Sequence, residues 1–479
     1  MRKFLVFFVI LSLSLLETYA ESKIYGTVDS KILDGGQLYV EVHRNYLRSL
    51  HNSFAEVHQH NLDHQGDFQV VFDVLEDYAY VNIRYVNSAG KSYFLFRNMN
   101  LLLVRDGAEI IVTINSEGVD LSDNVDPLIR IQVEYAETWP EAKAFGTMDK
   151  SAYEWKYKSL IKCLDSLQTM YDKIDDIALD LKKGLLLNYQ SFHVVGFLKS
   201  LSRRALSKEG GIIDNAAYVM LQKLLEDSKQ YLTPDVITKY AYNYIDFLKH
   251  HIVNDLKANS LMWDERERGK QFWHILNVDY SGYVQDQLLV SFYFDYVKHP
   301  RRYFDEELRS TKDVIDDRRF RLMISFLDSQ MHGAQAYPFA FRDVAGNLKK
   351  LEDFRGKILV LEFWFNGCQP CAILSGHIKQ FLDAYPHNEK VTLITINVDK
   401  NKEHWLSGVT SGKYTSDTSI DLHVGEQGYF HEMLRQYNYV GFPQLMVIGK
   451  DGKLITAFAE KPTNKEGKLA FQKLLDENI

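Results

Sequence analysis

An uninterrupted apolar run, Ile358-Leu359-Val360-Leu361, leads through Glu362-Phe363-Trp364-Phe365 into Asn366-Gly367-Cys368-Gln369-Pro370-Cys371, and helical spacing follows at once. Such a run reads as a central, buried strand. Both cysteines then fall at the start of a helix, where unpaired N–H groups and the positive dipole end stabilise a thiolate. Cys368 is the cysteine so placed, and such a site lowers a thiol from ~8.5 to roughly 3.5–7.5. Pro370 costs little in a first turn, where its missing N–H has no intrahelical partner to lose. The pattern points to thiolate chemistry: Cys368 attacks a disulfide, and Cys371, one turn further in, resolves the mixed disulfide. A structural disulfide and half of a zinc site are the other readings of the pair. Zinc needs two more ligands, and no second C-x-x-C is present.

The rest of the chain divides by hydrophobic period. From about 22 to 118, short alternating runs such as Lys23 to Val28, Gln37 to Val42, Tyr78 to Ile83 and Ile110 to Ile114 recur between polar breaks. Period 2 with β-branched and aromatic residues predicts strands, here a sandwich-like all-β domain over 21–135. From about 138 the period becomes helical, as in Leu160, Cys163, Leu164, Leu167, Tyr171 and Ile174, which predicts an all-α domain over 136–334. Thr233-Pro234-Asp235 has the cap, first-turn proline and acid of a helix start. The stretch Met331 to Pro338 interrupts that pattern, and strand and helix signals alternate afterwards, which predicts an α/β domain over 335–479. Within it, Lys450-Asp451-Gly452 separates two short strands as a hairpin turn.

The chain opens with Arg2 and Lys3, an apolar and serine stretch from Phe4 to Leu16, and Thr18-Tyr19-Ala20. This reads as a signal peptide over 1–20, cleaved after Ala20, with an uncleaved anchor as the alternative. Location in the periplasm or another extracytoplasmic space follows. A formal charge of -8 lacks the basic footprint that phosphate backbones demand, so nucleic acid is not an expected partner. A chain stabilised by disulfides outside the cytoplasm carries a larger, even set of cysteines. This one has three, so the pair reads as chemical rather than structural. Cys163 reads as a small core residue on an apolar helix face, with a free thiol or an intermolecular partner as the alternatives.

The C-terminal part resembles the thioredoxin superfamily and, within it, the TlpA/ResA-like thiol–disulfide oxidoreductases. The residues that carry the resemblance are Gly346-Asn347-Leu348, Leu351 to Lys357, Phe363-Trp364, Cys368-Gln369-Pro370-Cys371 and Tyr439-Val440-Gly441-Phe442-Pro443, in that order. It implies a thioredoxin-like fold, a cis peptide at Pro443, and pairing of the Phe442 backbone with an extended substrate. Trp364, Gln369 and Pro370 are expected beside Phe442 on the substrate side. Glu362 stands where thioredoxins carry a buried acid near the second cysteine, and it is expected to take the proton from Cys371; a solvated edge glutamate is the plainer reading. Four positions depart from the pattern: Leu374 replaces a glutamate, Gly367 a tryptophan, Gly376 a helix-kinking proline and Gln444 a common threonine. Gly367 is expected to open the surface around Cys368.

The function expected is extracytoplasmic thiol–disulfide exchange, reducing protein disulfides without a bound cofactor or metal. The resemblance also implies a membrane electron donor. A thiol peroxidase is the nearest rival, but the P-x-x-x-T-x-x-C pattern of such enzymes meets Leu361 and Phe365 here. The other rival is a partner-binding envelope protein with secondary redox activity. His51, His58, His60 and His64 read as loop histidines, and His250-His251 and Asp264 to Arg268 as solvated helix faces. His377 is expected on the outer face of its helix.

Overall fold

The computed structural model describes residues 21–43, 55–62, 65–74, 77–88, 91–95, 101–121, 123–124, 126–138, 150–207, 211–232, 239–260, 262, 264–297, 311 and 313–479. The expected signal peptide, Thr233-Pro234-Asp235, His51 and His64 lie outside these residues. The described chain falls into two compact units, one ending at 142 and the other running from 143 to the end.

In the first unit, strands β1 (Ser22–Val28), β4 (Asp67–Phe72), β8 (Glu109–Asn115) and β9 (Gly118–Asp120) form a sheet in the order β4-β1-β8-β9. Strands β2 (Gln37–His43), β3 (Glu56–Asn61), β5 (Tyr78–Val86) and β6 (Ser92–Phe94) form a second in the order β3-β2-β5-β6, and β7 (Leu102–Arg105) also pairs with β5. Alternation does what period 2 requires: Ile24, Val70, Ile110 and Val112 from one sheet meet Leu38, Val40, Val81 and Ile83 from the other in one core. His58 and His60 belong to strand β3 rather than to a loop, and His58 Nε2 lies 3.0 Å from Glu56 Oε1. The alternating pattern did not anticipate helix α1 (Pro127–Thr138). Its Ile129 enters the sandwich core, and Gln132 accepts from Leu103 N and donates to Leu103 O.

The second unit begins with helices α2 (Lys150–Asp172), α3 (Leu179–Ala205), α4 (Asn215–Ser228), α5 (Tyr242–Ala258), α6 (Glu265–Val278), α7 (Gly282–Val297) and α8 (Arg318–Asp328). Asp214, Asp264 and Asp317 cap α4, α6 and α8 by accepting from the backbone N–H of Ala217, Glu267 and Arg319. Asp264, read as part of a solvated charge run, therefore also starts a helix. His251 departs from expectation further: it is buried, its Nε2 3.0 Å from the Leu225 carbonyl. Adjacent histidines on a helix point about 100° apart, so one reached the core while His250 stayed near Asp246 at 3.3 Å. Leu164, Leu167 and Tyr171 form the buried face of α2, with Cys163 half-buried at its edge and its thiol pushed up to about 11 by burial. Among the described residues no helix is long and apolar enough to cross a membrane.

Beyond α8 lies a seven-stranded sheet of β10 (Ala340–Asp343), β11 (Leu348–Lys350), β12 (Ile358–Trp364), β13 (Val391–Asn397), β14 (Ile420–His423), β15 (Gln444–Ile448) and β16 (Leu454–Thr456), ordered β11-β10-β14-β13-β12-β15-β16. Strand β12 is buried along its whole length, parallel to β13 and antiparallel to β15. Helices α9 (Gln369–Ala384), α10 (Lys402–Thr410), α11 (Glu432–Gln436) and α12 (Lys465–Asp476) complete this part. Leu359, Leu361 and Phe363 face one core, and Ile358 and Val360 face another that includes Leu374 and Ile378 of α9. The segment before β10 is tied to the sheet: Gly333 N donates to Leu454 O at 2.8 Å, Leu454 N to Ala334 O at 2.8 Å, and Ala336 N to Gly452 O at 3.2 Å.

Candidate active site

Strand β12 ends at Trp364, and the chain must turn sharply to start α9 at Gln369. Gly367 makes that turn with φ +95°, a region that disfavours any side chain, which is a conformational reason for glycine here. Nothing lies within 4 Å of where its Cβ would sit. Even so, Cys368 is only 3% exposed, so the glycine does not open the surface at the sulfur. Cys368 caps α9, its Sγ accepting from Cys371 N at 3.1 Å, and the two cysteines are disulfide-bonded with Cα atoms 5.2 Å apart. Cys371 is fully buried.

The turn is held from below. Asn366 N donates to Asp399 Oδ2 at 2.8 Å, which also accepts from Asn397 Nδ2 at 2.8 Å. Gly367 N donates to the Tyr414 hydroxyl at 3.0 Å, and Asn366 Nδ2 to the His404 carbonyl at 3.2 Å. Tyr414 stacks on Trp364 with ring centroids 4.4 Å apart, and Trp364, Cys368, Cys371, Trp405 and Tyr414 form one apolar cluster. Trp364 is fully buried, which corrects its expected place on the substrate side. As an even-numbered residue of β12 it shares the face of Glu362, beneath α10 rather than toward solvent. No local motif marks Tyr414 or Asp399, because they reach the turn from 47 and 33 residues away.

Glu362 is fully buried, opposite Thr395 on β13 and Leu445 on β15. Neither carboxylate oxygen has a hydrogen-bond partner among the described residues. Burial pushes its pKa up to about 8, and the nearby Ser375 hydroxyl pulls the other way without a bond of ordinary geometry. The solvated-edge reading is excluded by this position. Next on the same row, Thr395 Oγ1 donates to Asp421 Oδ1 at 2.8 Å. The Phe442–Pro443 peptide is cis. Pro443 is buried, its carbonyl accepting from Lys461 Nζ at 2.7 Å, while Gln369 and Pro370 are exposed and Phe442 is half-buried. His377 is also half-buried, not on the outermost face of α9.

A disulfide-bonded cysteine pair at a strand–helix turn, a buried acid in the strand that leads to it and a cis-proline before another strand are the marks of a thioredoxin-like domain. Residues 356–454 match the family described as Thioredoxin-like. The thiol–disulfide oxidoreductase ResA of Bacillus thuringiensis subsp. konkukian is 25% identical over 134 residues, 28% of this chain and 73% of its own. The thioredoxin-like protein YneN of Bacillus subtilis is 22% identical over 134 residues, 28% of this chain and 75% of its own. Among solved structures, the thioredoxin domain of a thiol–disulfide oxidoreductase from Bacteroides vulgatus is similar at 21% identity, covering 31% of this chain and 98% of that one with a TM-score of 0.26. The C-terminal region is a TlpA/ResA-like domain of the thioredoxin superfamily.

Proposed function

We propose that the protein is a thiol–disulfide oxidoreductase that reduces disulfides in other proteins through Cys368 and Cys371. The observation that carries this reading is Cys368 at the cap of α9, with the Cys371 N–H on its sulfur at 3.1 Å and Cys371 one turn further in. In the dithiol form, the Cys368 thiolate attacks one sulfur of a substrate disulfide and the other sulfur leaves as a thiolate. Glu362 takes the proton from Cys371, whose thiolate attacks Cys368 Sγ and expels the second substrate thiolate. Two electrons pass to the substrate, and the Cys368–Cys371 disulfide remains. A carboxyl whose pKa sits at about 8 is matched to that proton transfer near neutral pH.

The substrate segment lies extended against Phe442, whose backbone N–H and C=O have no hydrogen-bond partner among the described residues. The β-rich residues 21–135 and the helical residues 136–334 serve as separate modules that select or hold the substrate of the redox domain 335–479. Residues 1–20 direct export, and an electron donor in the membrane restores the dithiol. The similarity to ResA supports the exchange chemistry; residues Arg2 to Ala20 support export. The test is the reduction potential of the pair, measured by equilibrating the mature chain with thiol–disulfide buffers and counting free thiols. A two-electron transition well below about -200 mV is expected, a value near about -120 mV reverses the direction to oxidation, and no reversible transition defeats the proposal.

A further inference from the structure

A proton that Glu362 takes from Cys371 lands on a fully buried carboxyl, and it must reach solvent before the residue can act again. Three in-register residues cross the sheet from that point: Glu362 on β12, Thr395 on β13 and Asp421 on β14. Register puts their side chains on one face, with neighbouring strands about 4.7–4.9 Å apart. Thr395 is fully buried, and its Oγ1 donates to Asp421 Oδ1 at 2.8 Å, with Ser419 Oγ 2.7 Å from the same oxygen. A hydroxyl that donates outward keeps its lone pairs for a donor on the inner side. The inner neighbour is Glu362, whose oxygens have no other partner among the described residues and which a turn of its side chain brings within reach. On its other flank Glu362 meets Leu445 of β15, which can carry no proton. Asp421 is half-buried where the sheet opens, since β10 pairs with β14 only at Leu422 and His423. Burial holds its carboxyl above the usual range, against the pull of the Ser419 and Thr395 hydroxyls, so it can keep a proton in passing.

We propose that Thr395 and Asp421 relay the Glu362 proton across the sheet to solvent. The inference rests on the exchange reaction proposed above and deepens it, adding the route by which the proton of Cys371 leaves the interior. The carboxylic O–H of Glu362 passes its proton to Thr395 Oγ1 while the Thr395 hydroxyl proton passes to Asp421 Oδ1. Thr395 ends neutral, Glu362 is again a carboxylate, and Asp421 gives the proton to water as the threonine hydroxyl rotates back. No electrons move in the relay. It needs a hydroxyl at 395 and an ionisable carboxyl at 421, but not the threonine methyl group.

The test uses the full mature chain with Cys163→Ser, so that only the redox pair reacts, reduced beforehand and mixed with the aromatic disulfide dithiobis(nitrobenzoate). Each turnover releases one coloured thiolate when Cys368 attacks and a second when Cys371 resolves, and stopped-flow absorbance separates the two. Thr395→Val and Asp421→Asn are each expected to slow the second release about tenfold or more while sparing the first, with thermal unfolding confirming that each variant is folded. Thr395→Ser keeps the hydroxyl and is expected to restore the second release. Glu362→Gln is expected to slow it as well, and Thr395→Val added to Glu362→Gln to slow it no further. An unslowed second release in both folded variants, equal slowing of both releases, or a Thr395→Ser variant as slow as Thr395→Val overturns the relay. An unslowed second release in Glu362→Gln overturns the relay together with the role given to Glu362, whereas no release at all from the starting chain defeats the underlying reaction.

Discussion

Glu362 occupies a depth at which a charge is costly, and that cost has a sign and a pH window. The unfolded carboxyl titrates near ~4.3 and the buried one at about 8, so between these values the folded chain holds the extra proton. Stability from this group therefore falls as pH rises through that window and levels off above it, by at most about 5 kcal/mol. Glu362→Gln removes the titration. Its melting temperature relative to wild type is expected to climb from pH 5 to pH 8 and then stay constant, and a difference independent of pH would show that the carboxyl is not the titrating group. Residues of this kind were legible in advance: a lone acid inside an apolar strand six residues before Cys368 demands a use. Trp364 was misplaced because a motif says which residue is present but not which way a strand's side chains face. Tyr414 and Asp399 stayed invisible, since only the fold brings them to Gly367 and Asn366.

Among the elements, α10 bears most directly on the site although it carries no part of the motif. Gly408 lets it approach Trp364 so closely that a Cβ there would lie 2.7 Å from two atoms of the indole. Gly408→Ala is expected to push the helix away and destabilise the fold by about 1–3 kcal/mol. It should also slow exchange, because Asn366 is held by the His404 carbonyl of the same helix; thermal unfolding and a single-turnover rate measured together check both. Strand β12, helix α9 and the β15–β16 hairpin could be read from apolar runs and turn residues. Helix α1 could not, because Ile129, Ile131, Val133 and Tyr135 alternate with polar residues as a strand would, and the buried partners that favour the helix are set by the fold.

For the molecule as a whole, the change of pattern near 335 does not coincide with a free hinge. Residues 332–336 run along β16 through the Gly333, Ala334 and Ala336 hydrogen bonds, with His332 Nδ1 3.1 Å from Ile455 O and Ala336 in the sheet's core. A redox domain begun at 337 is expected to be roughly 2–3 kcal/mol less stable in urea than one begun at 331, each lost backbone bond being worth about 0.5–1.5 kcal/mol. Equal midpoints and slopes would show that the segment adds nothing. The burial of Trp364 has one more consequence, which belongs to optics. Disulfides quench indole emission on contact, and two of the six tryptophans, Trp364 and Trp405, pack in the same cluster as the cysteines. The chain is thus expected to carry its own lamp, brightening as the pair is reduced, and a titration with dithiothreitol that leaves the emission unchanged would show that neither indole senses the sulfurs.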